Sequence, residues 1–281
     1  MGRMKEISFF DQDKVLITGA RGMAGSYLNF GIKTDRESLD VTDLKMVLDA
    51  GRKHKPKVII HLAAQTDMDK CENDPDHAYK INAIGTYNMA ELAKEIGAKM
   101  VYVSTGGVFD GKKDGLYGED DTPNPQTYYG RSKYLGELIV RGMLNDYIIA
   151  RTCWLFGGGP GKDKKFISKI ISQFEKAEIK AVDDQFGSPT FAKDFIKTLC
   201  GLIKDGKTGI FHIVNGGACS RFEEAKEAVK ILGAKTKITP VSSDSFPEKT
   251  PVIFNQGLIS RAVSLRPWQE ALREYIEKEW K

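Results

Sequence analysis

The chain has 281 residues, of which 41% are hydrophobic and 28% charged, with a formal net charge of +4 at pH 7. This length suits one large domain or two unequal ones, and the composition is typical of a folded protein rather than a disordered one. Because the charge is nearly balanced and no long block of one sign occurs, a nucleic-acid-binding surface is not expected.

Cysteine usage and hydropathy indicate a cytoplasmic protein with reduced thiols. Cys71, Cys153, Cys200 and Cys219 form no CxxC pair and have no tight spacing to histidine. Neither a disulfide framework nor a metal site is therefore predicted. No apolar run approaches membrane-spanning length, and the N-terminal MGRMKEISFF turns charged at Asp11, too soon for a signal peptide. We expect no membrane partner.

Apolar runs of strand length alternate along the chain with amphipathic runs of helix length. The predicted strands are Lys14–Thr18, Lys57–Ala64, Lys99–Ser104, Tyr147–Thr152 and Gly209–Asn215, and the predicted helices are Val41–Lys53, Asp76–Ile96, Tyr128–Leu144, Thr190–Ile203 and Arg221–Leu232. Strands that are apolar without alternation are covered on both faces, and β-α-β order implies parallel pairing. The pattern predicts an α/β protein with a Rossmann-type doubly wound parallel sheet.

The alternation of predicted strands and helices is interrupted after Thr152. A glycine-rich loop at 157–161 precedes a helical run at Phe166–Phe174, and a last helical run begins at Pro267. We expect residues 1–153, continued by 190–215, to form the dinucleotide-binding domain. Residues 154–189 and 216–281 then form a smaller substrate-binding lobe across the carboxyl end of the sheet.

The glycine loop TGARGMAG directly follows the first predicted strand. Gly19 would permit the tight turn, Gly22 the close approach of a pyrophosphate and Gly25 the packing of a short helix over Met23–Phe30. Arg21 and Met23 lie within this loop. Its position after the first strand of an alternating chain predicts a nicotinamide dinucleotide site.

The residues expected at the adenosine ribose give two opposing signals. Asp35 is the acidic residue expected on the ribose hydroxyls of NAD, although it comes early in the chain. Arg36 beside it and Arg21 in the glycine loop fit the 2′-phosphate of NADP instead. The pattern favours NADP(H) slightly over NAD(H), and solvated surface arginines are the alternative.

A tyrosine and a lysine stand one helical turn apart in TYYGRSK. Tyr129 and Lys133 share a helix face, so that the lysine charge would lower the pKa of the tyrosine and make it a proton donor or acceptor. Taken alone, the spacing favours an ordinary solvent-facing pair. However, Ser104 and Thr105 end the preceding strand, where a doubly wound sheet binds its ligands.

The ordered motifs TGARGMAG, HLAAQT, INAIGTYN and YGRSK resemble the extended short-chain dehydrogenase/reductases. VFDG, RTCWLFG and DDQFGSPT further resemble the dTDP-4-dehydrorhamnose reductase family of sugar-nucleotide reductases. The resemblance implies the catalytic residues Thr105, Tyr129 and Lys133, further cofactor contacts at Asp40, Val41, Ala63, Ala64, Asn82, Ser104 and Lys133, and substrate contacts at Thr66, Thr105, Gly106, Gly107, Val108 and Trp154. A core tryptophan is the alternative for Trp154. The resemblance also allows a homodimer.

One departure from the family pattern concerns the substrate. The reductases usually read Ser-Thr-Asp-Tyr before Val-Phe-Asp-Gly, whereas this chain has Ser-Thr-Gly-Gly, so we expect Gly106 and Gly107 to clear space in the sugar pocket. The leading hypothesis is an NAD(P)H-dependent reductase of a nucleotide-linked 4-keto-6-deoxysugar. The alternatives are a redox-neutral epimerase or dehydratase with tightly bound NAD, and a non-catalytic NADP-binding regulatory subunit.

Overall fold

The computed structural model describes residues 11–246 and 250–280. The N-terminal stretch on which the signal-peptide argument depends lies outside these residues. Within the described ranges, each helix is too short or too polar to cross a membrane.

A parallel sheet of six strands forms the centre of the fold, in the order β10-β5-β4-β3-β1-β2. Its strands are β1 (Val15–Thr18), β2 (Ile32–Lys33), β3 (Val58–His61), β4 (Lys99–Thr105), β5 (Tyr147–Thr152) and β10 (Gly209–His212). The order reverses between β1 and β3, because β2 lies on one side of β1 whereas β3, β4 and β5 lie on the other. Ligands bind in doubly wound folds in the crevice at the carboxyl ends of the strands beside such a reversal. The predicted fold class is confirmed.

Helices cover both faces of the sheet, as the uninterrupted apolar strands predicted. They are α1 (Leu44–His54), α2 (Met68–Asn73), α3 (Pro75–Tyr79), α4 (Gly85–Ile96), α5 (Tyr128–Met143) and α8 (Ala192–Lys204). One face packs on α1, α4 and α5 in a cluster that includes Leu16, Ile59, Val47, Met89 and Val140. The other face packs on α8 in a cluster that includes Ile17, Ile60, Phe195 and Leu199.

The remaining elements pack around a second apolar cluster. They are β6 (Leu155–Phe156), α6 (Gly159–Lys162), α7 (Phe166–Ile171), β7 (Glu178–Val182), β8 (Phe186–Gly187), β9 (Thr190–Phe191), β11 (Cys219–Ser220), α9 (Arg221–Leu232), β12 (Lys237–Val241) and α10 (Trp268–Glu279). The strands pair as β6 with β9, β7 with β12 and β8 with β11. Ile170, Phe191, Ala228 and Tyr275 are buried together between them. The boundaries of the two predicted domains stay a prediction.

Some predicted elements have different limits in the structure. The helix predicted at Asp76–Ile96 is divided into α3, a π-helical turn at Lys80–Ile84 and α4. The helix predicted from Thr190 begins at Ala192, because Thr190 and Phe191 pair with β6. The strands predicted to reach Ala64 and Asn215 end at His61 and His212, where the chain leaves the sheet for its carboxyl edge.

Candidate active site

The glycine loop is a tight turn packed against the end of β3. Gly19 has a φ of +67°, and a Cβ on it would stand 2.7 Å from the Ala63 nitrogen. A Cβ on Gly25 would stand 2.4 Å from the Ala20 carbonyl oxygen, so both positions require glycine. A Cβ on Gly22, by contrast, would meet a single atom within 4 Å, the Gly19 oxygen at 3.2 Å. The side of the turn at Gly22 is therefore open, and this cradle fits a pyrophosphate.

The helix predicted to follow this loop at Met23–Phe30 is wrong. The structure has a single 3₁₀ turn at Ala24–Tyr27, which Leu28 ends in an extended conformation. Leu28 is fully buried in the cluster beneath α8, and this packing draws the chain out of the helix. A four-residue turn aligns few peptide dipoles, so it has little of the partial positive charge with which a longer helix stabilises a phosphate at its N-terminus. Binding of a pyrophosphate would therefore depend mainly on the backbone amides of the loop.

Tyr27 anchors this short turn to the C-terminal helix. Its hydroxyl donates to the Glu279 carboxylate at 2.8 Å and accepts from the Gly158 amide at 2.6 Å. Burial is the largest influence on this hydroxyl and raises its pKa. The glycine loop thus rests on α10 and on the loop after β6.

The two signals expected at the adenosine ribose are bonded to each other. Arg21 Nε lies 2.6 Å from a carboxylate oxygen of Asp35, and Arg21 Nη1 lies 3.5 Å from Glu37. The Asp35 carboxylate also accepts the amides of Glu37 and Ser38, and the Ser38 amide is the main reason that the pKa of Asp35 is lowered. These amides fix the Asp35 carboxylate, and the carboxylate in turn holds the Arg21 guanidinium at the edge of the glycine loop.

Asp40 and Val41 lie on the next turn of this edge. The Asp40 carboxylate accepts the Thr42 amide at 2.9 Å, and this bond is the main cause of its lowered pKa, to which the nearby charge of Arg36 contributes. Val41 is buried, and its carbonyl accepts from the Asn88 side chain. Both residues are thus fixed in place at this edge, while the Arg36 side chain is exposed, and their contact with a cofactor stays a prediction.

Asn82 organises the segment after β3 from within the π-helical turn. Its Oδ1 accepts the Gln65 amide at 2.8 Å, and its Nδ2 donates to the Gln65 carbonyl and to Ser132 Oγ, each at 3.0 Å. Asn82 is fully buried and holds the wall formed by this segment from behind. Ala63 and Ala64 form the partly exposed front of that wall. Such π turns occur frequently at functional sites.

Thr105 and Tyr129 come together at the carboxyl end of β4. Both side chains lie beside Gly107, whose amide donates to Thr105 Oγ1 at 3.0 Å. The first turn of α5 is fixed by Glu72, whose carboxylate accepts the Tyr128 amide at 2.7 Å. A Cβ on Gly130 would stand 2.2 Å from the Gly107 carbonyl oxygen, so the helix backbone lies directly on the strand end.

Burial controls the protonation of the predicted catalytic pair. It raises the pKa of Tyr129 to about 12, opposed by the hydrogen bond with Thr105. It lowers the pKa of Lys133 to about 7, opposed by the charge of Glu137. The expectation that Lys133 lowers the Tyr129 pKa is therefore wrong for the ligand-free protein, because desolvation of the hydroxyl is the dominant influence. Tyr129 is a neutral phenol at physiological pH, the form that donates a proton.

The ammonium group of Lys133 lies over the ring of Tyr102. Its Nζ lies 4.1 Å from the ring centroid of Tyr102, whose hydroxyl donates to the Lys133 carbonyl at 3.1 Å. His61 stacks on the other side of Tyr102 and bonds Thr18 Oγ1 at 2.7 Å. Burial lowers the pKa of His61 to about 3, so this imidazole is a neutral core group.

Two hydroxyls at the strand ends are buried without a partner. Within the described residues, neither Ser104 Oγ nor Thr152 Oγ1 has a hydrogen-bond partner. Thr152 pairs in register with Thr105, so both side chains point to the same face of the sheet. Because burying an unsatisfied hydroxyl costs about 1–3 kcal/mol, such groups at a strand end mark a place where a polar ligand binds.

Gly106 and Gly107 have different surroundings. A Cβ on Gly106 would stand 2.9 Å from the Gln256 carbonyl oxygen, so the expectation that this glycine clears space in the sugar pocket is wrong: backbone already fills that space. A Cβ on Gly107 would lie 3.4 Å from Thr105 Oγ1 and 3.9 Å from a ring carbon of Tyr129, facing the catalytic pair. Val108, expected to contact substrate, is instead fully buried, since its side chain packs in the core with Phe109.

The Trp154 ring is covered by a cation. The Arg221 guanidinium carbon lies 3.4 Å from the ring centroid of Trp154 and 4.7 Å from that of Phe166. A Cβ on Gly187 would stand 2.3 Å from the indole, which therefore also packs on that backbone. Any ligand that approaches this face of Trp154 meets Arg221 first, and packing of a sugar on the indole stays a prediction.

Comparison with known proteins assigns the family. The model of the RmlD substrate binding domain matches residues 13–280. The chain belongs to this family. The spore coat polysaccharide biosynthesis protein SpsK of Bacillus subtilis (strain 168) is 35% identical over 279 residues, covering 94% of this chain and 97% of that protein.

Solved structures of RmlD-family reductases superpose closely on this chain. A dTDP-4-dehydrorhamnose reductase from Clostridium acetobutylicum ATCC 824 is 36% identical with a TM-score of 0.90, covering 94% of this chain and 98% of that one. A dTDP-4-dehydrorhamnose reductase from Bacillus anthracis str. Ames, in complex with NADP, is 34% identical with a TM-score of 0.90 and the same coverage. The predicted family resemblance is confirmed.

Two polar residues near the RmlD-family site, Thr152 and Arg221, were not singled out from the sequence. Thr152 ends β5 as Thr105 ends β4, so its place at a strand end is a signal that could have found it. Lys165 donates to the Thr66 carbonyl at 3.2 Å, and Arg221 stacks on Trp154. No spacing in the sequence connects these two cations, because the fold brings them together from separate elements.

Proposed function

We propose that this RmlD-family chain reduces a dTDP-linked 4-keto-6-deoxysugar to the 4-hydroxy sugar, with NADPH preferred over NADH. The observation that carries the proposal is the meeting of the Thr105 and Tyr129 side chains beside Gly107 at the end of β4, with a pKa of Tyr129 that burial raises to about 12. The names of the relatives supply the substrate class, a dTDP-linked keto sugar.

The bound nicotinamide would supply the hydride to the carbonyl carbon. Tyr129 donates its phenolic proton to the carbonyl oxygen as negative charge develops there, and the hydroxyl of Thr105 orients both groups. Lys133 binds the nicotinamide ribose and, when protonated, favours the phenolate that Tyr129 leaves behind. Gly107 leaves room beside this pair for the sugar.

The cofactor residues follow the crevice from the glycine loop to β4. Gly19, Gly22 and Gly25 shape the pyrophosphate cradle, and Arg21 stands at its edge as the cation for a 2′-phosphate. Ser104 offers a buried hydroxyl without a partner within the described residues, and it lies at the nicotinamide end. This arrangement supports NADP(H).

The larger organisation follows the same proposal. Residues 1–153 and 190–215 bind the cofactor, and residues 154–189 and 216–281 bind the sugar nucleotide. A homodimer and a cytoplasmic location complete the proposal.

The test is reduction of dTDP-4-dehydrorhamnose and dTDP-4-keto-6-deoxy-D-glucose, followed by loss of nicotinamide absorbance with NADPH and with NADH. We expect Tyr129→Phe to lower kcat by about 100-fold or more, the usual contribution of a positioned proton donor. Tyr128→Phe is the matched control, since Tyr128 lies in the same helical turn but packs against Tyr79 instead, and it should retain kcat.

Wild-type turnover by Tyr129→Phe would remove Tyr129 from the mechanism. Retention of tightly bound NAD with no net cofactor consumption would favour the epimerase or dehydratase hypothesis. Cofactor binding without turnover of either sugar would favour the regulatory subunit.

A further inference from the structure

Arg221 presents a guanidinium at the wall formed by Trp154 and Phe166. It is the first residue of α9, and its Nη1 donates to the Glu224 carboxylate at 2.7 Å. Its remaining N–H groups have no hydrogen-bond partner within the described residues. The side chain is 20% exposed, so that the ring stack holds the guanidinium in place while part of it faces the solvent.

Lys165 supplies a second cation to the same wall. Its Nζ donates to the Thr66 carbonyl at 3.2 Å and lies 3.5 Å from Thr66 Oγ1, and the side chain is exposed. Burial of the ammonium is the largest cause of its lowered pKa, and the charge of Arg221 contributes to it. The two cations are therefore close enough to repel each other.

The carboxylates that support these cations lie behind them. Asp163, which is 1% exposed, accepts the Lys165 amide at 2.8 Å and the Tyr275 hydroxyl at 2.8 Å. Glu224 is also 1% exposed and holds Arg221. Asp163 and Glu224 are buried, whereas Arg221 and Lys165 reach the surface, where the exposed carboxylate of Asp67 also lies near Lys165. With two cations and one anion at the surface, the accessible face of this cluster has a net positive charge.

The sheet places this positive face beside the reacting groups. Trp154 comes two residues after the end of β5, and Thr66 follows β3. β3 and β5 are the two neighbours of β4, which ends at Thr105. Contacts to Lys165 and to Arg221 therefore arise on the two sides of the strand that carries the catalytic threonine.

We propose that Arg221 and Lys165 form the subsite for the diphosphate of the nucleotide-linked substrate, with Trp154 and Phe166 as positioning residues for the guanidinium. The planar guanidinium offers parallel donors to phosphate oxygens and Lys165 acts as a point charge, so the pair matches a group with two adjacent negative charges. This inference rests on the proposed function, because a nucleotide sugar carries such a diphosphate next to the sugar.

The test separates recognition of the diphosphate from recognition of the nucleoside. Binding of dTDP and of thymidine to the full-length protein is measured by calorimetry for wild type, Arg221→Gln and Lys165→Gln. We expect dTDP affinity to fall by about tenfold or more in Arg221→Gln, in line with loss of a charge-assisted bond, while thymidine affinity stays the same. The Lys165 variant should lose less, because its ammonium already donates to the Thr66 carbonyl and offers a point charge rather than parallel donors.

Arg52→Gln is the matched control for the loss of one positive charge. Arg52 is an exposed residue near the end of α1, before the amino end of β3, and pairs with Asp49. Its dTDP affinity should equal that of wild type. Arg221→Lys separates charge from stacking and should recover part of the affinity lost in Arg221→Gln.

Equal loss of dTDP and thymidine affinity in Arg221→Gln would show a structural role and overturn the proposal, as would unchanged dTDP affinity in both variants. If Arg221→Gln fails to fold, Lys165→Gln is the deciding variant. A lower affinity for dTDP with unchanged affinity for thymidine would then support the subsite, and an unchanged affinity for dTDP would reject it. Turnover is scored separately. A protein that binds dTDP through Arg221 and reduces neither keto sugar would contradict the proposed function and keep this inference.

Discussion

At the scale of single residues, Lys133 should make the stability of the ligand-free protein depend on pH. Its pKa is lowered to about 7 by burial, whereas the unfolded chain has the ordinary lysine value of about 10.4. Between these values the unfolded state binds the extra proton, so the free energy of unfolding should rise with pH by up to about 1.4 kcal/mol per unit. Below about pH 7 both states are protonated and the contribution is constant.

Urea unfolding of wild type and Lys133→Met at pH 7, 8 and 9 measures this effect, because subtraction cancels the titration of groups that the two proteins share. We expect the difference between the two free energies to change with pH in favour of wild type. A difference that stays constant would show that the ammonium is better solvated than its contacts with Tyr102 and His61 suggest.

The sequence predicted the reacting residues better than those that surround them. Tyr129 and Lys133 were found because their spacing reflects a helix, and Thr105 because it ends an apolar strand. Arg221 and Lys165 lie 56 positions apart in the numbering and reach the same wall only through tertiary packing, so no local pattern connects Arg221 with Lys165. The pKa of Tyr129 was also beyond prediction, since desolvation depends on which side chains surround a hydroxyl.

At the scale of elements, the position of α5 should depend on a single glycine at its N-terminus. A Cβ on Gly130 would stand 2.2 Å from the Gly107 carbonyl oxygen, and both atoms belong to backbone that cannot rotate away. Gly130→Ala should push the helix off the end of β4, separate Tyr129 from Thr105 and lower kcat by about tenfold or more. The overpacking should also cost about 1–3 kcal/mol of stability.

Gly142→Ala provides the same chemical change in the same helix. No atom lies within 4 Å of a Cβ at Gly142, so alanine there should leave kcat unchanged and stabilise the helix by up to about 1 kcal/mol. Steady-state kinetics and urea unfolding of both variants are the measurements. Equal kinetic effects of the two substitutions would contradict the role of the Gly130 contact.

Element types were predictable where the hydrophobic pattern was long, and less so where tertiary contacts set the limits. Arg221–Leu232 and Tyr147–Thr152 have the predicted bounds. The turn at Ala24–Tyr27 was predicted as part of a helix because the family's glycine loop normally opens one, and only the burial of Leu28 shows why this chain does otherwise.

At the scale of the whole molecule, Gly106 is a point of contact between the end of the sheet and the C-terminal part of the chain. A Cβ there would stand 2.9 Å from the Gln256 carbonyl oxygen. The segment around Gln256 is held in turn by the Phe186 carbonyl, which accepts the Gln256 amide at 2.8 Å, and by Ser188, which accepts the Leu258 amide at 3.0 Å. A side chain at Gly106 would therefore displace a segment that several bonds fix in place.

Gly106→Ala should destabilise the protein by about 1–3 kcal/mol and raise KM for the sugar nucleotide, because the displaced segment borders the pocket. Gly107→Ala is the matched comparison, since its Cβ would lie at ordinary contact distance, 3.4 Å, from Thr105 Oγ1 and would face Tyr129. That variant should keep the stability of wild type and change the relative kcat/KM for dTDP-4-dehydrorhamnose and dTDP-4-keto-6-deoxy-D-glucose. Thermal unfolding and competition between the two sugars measure these outcomes. If both variants lose stability equally, the two glycines serve packing alone. Loss of stability in Gly106→Ala only, with a changed sugar preference in Gly107→Ala only, would assign Gly106 to packing between the sheet and the C-terminal segment and Gly107 to the space beside Thr105 and Tyr129.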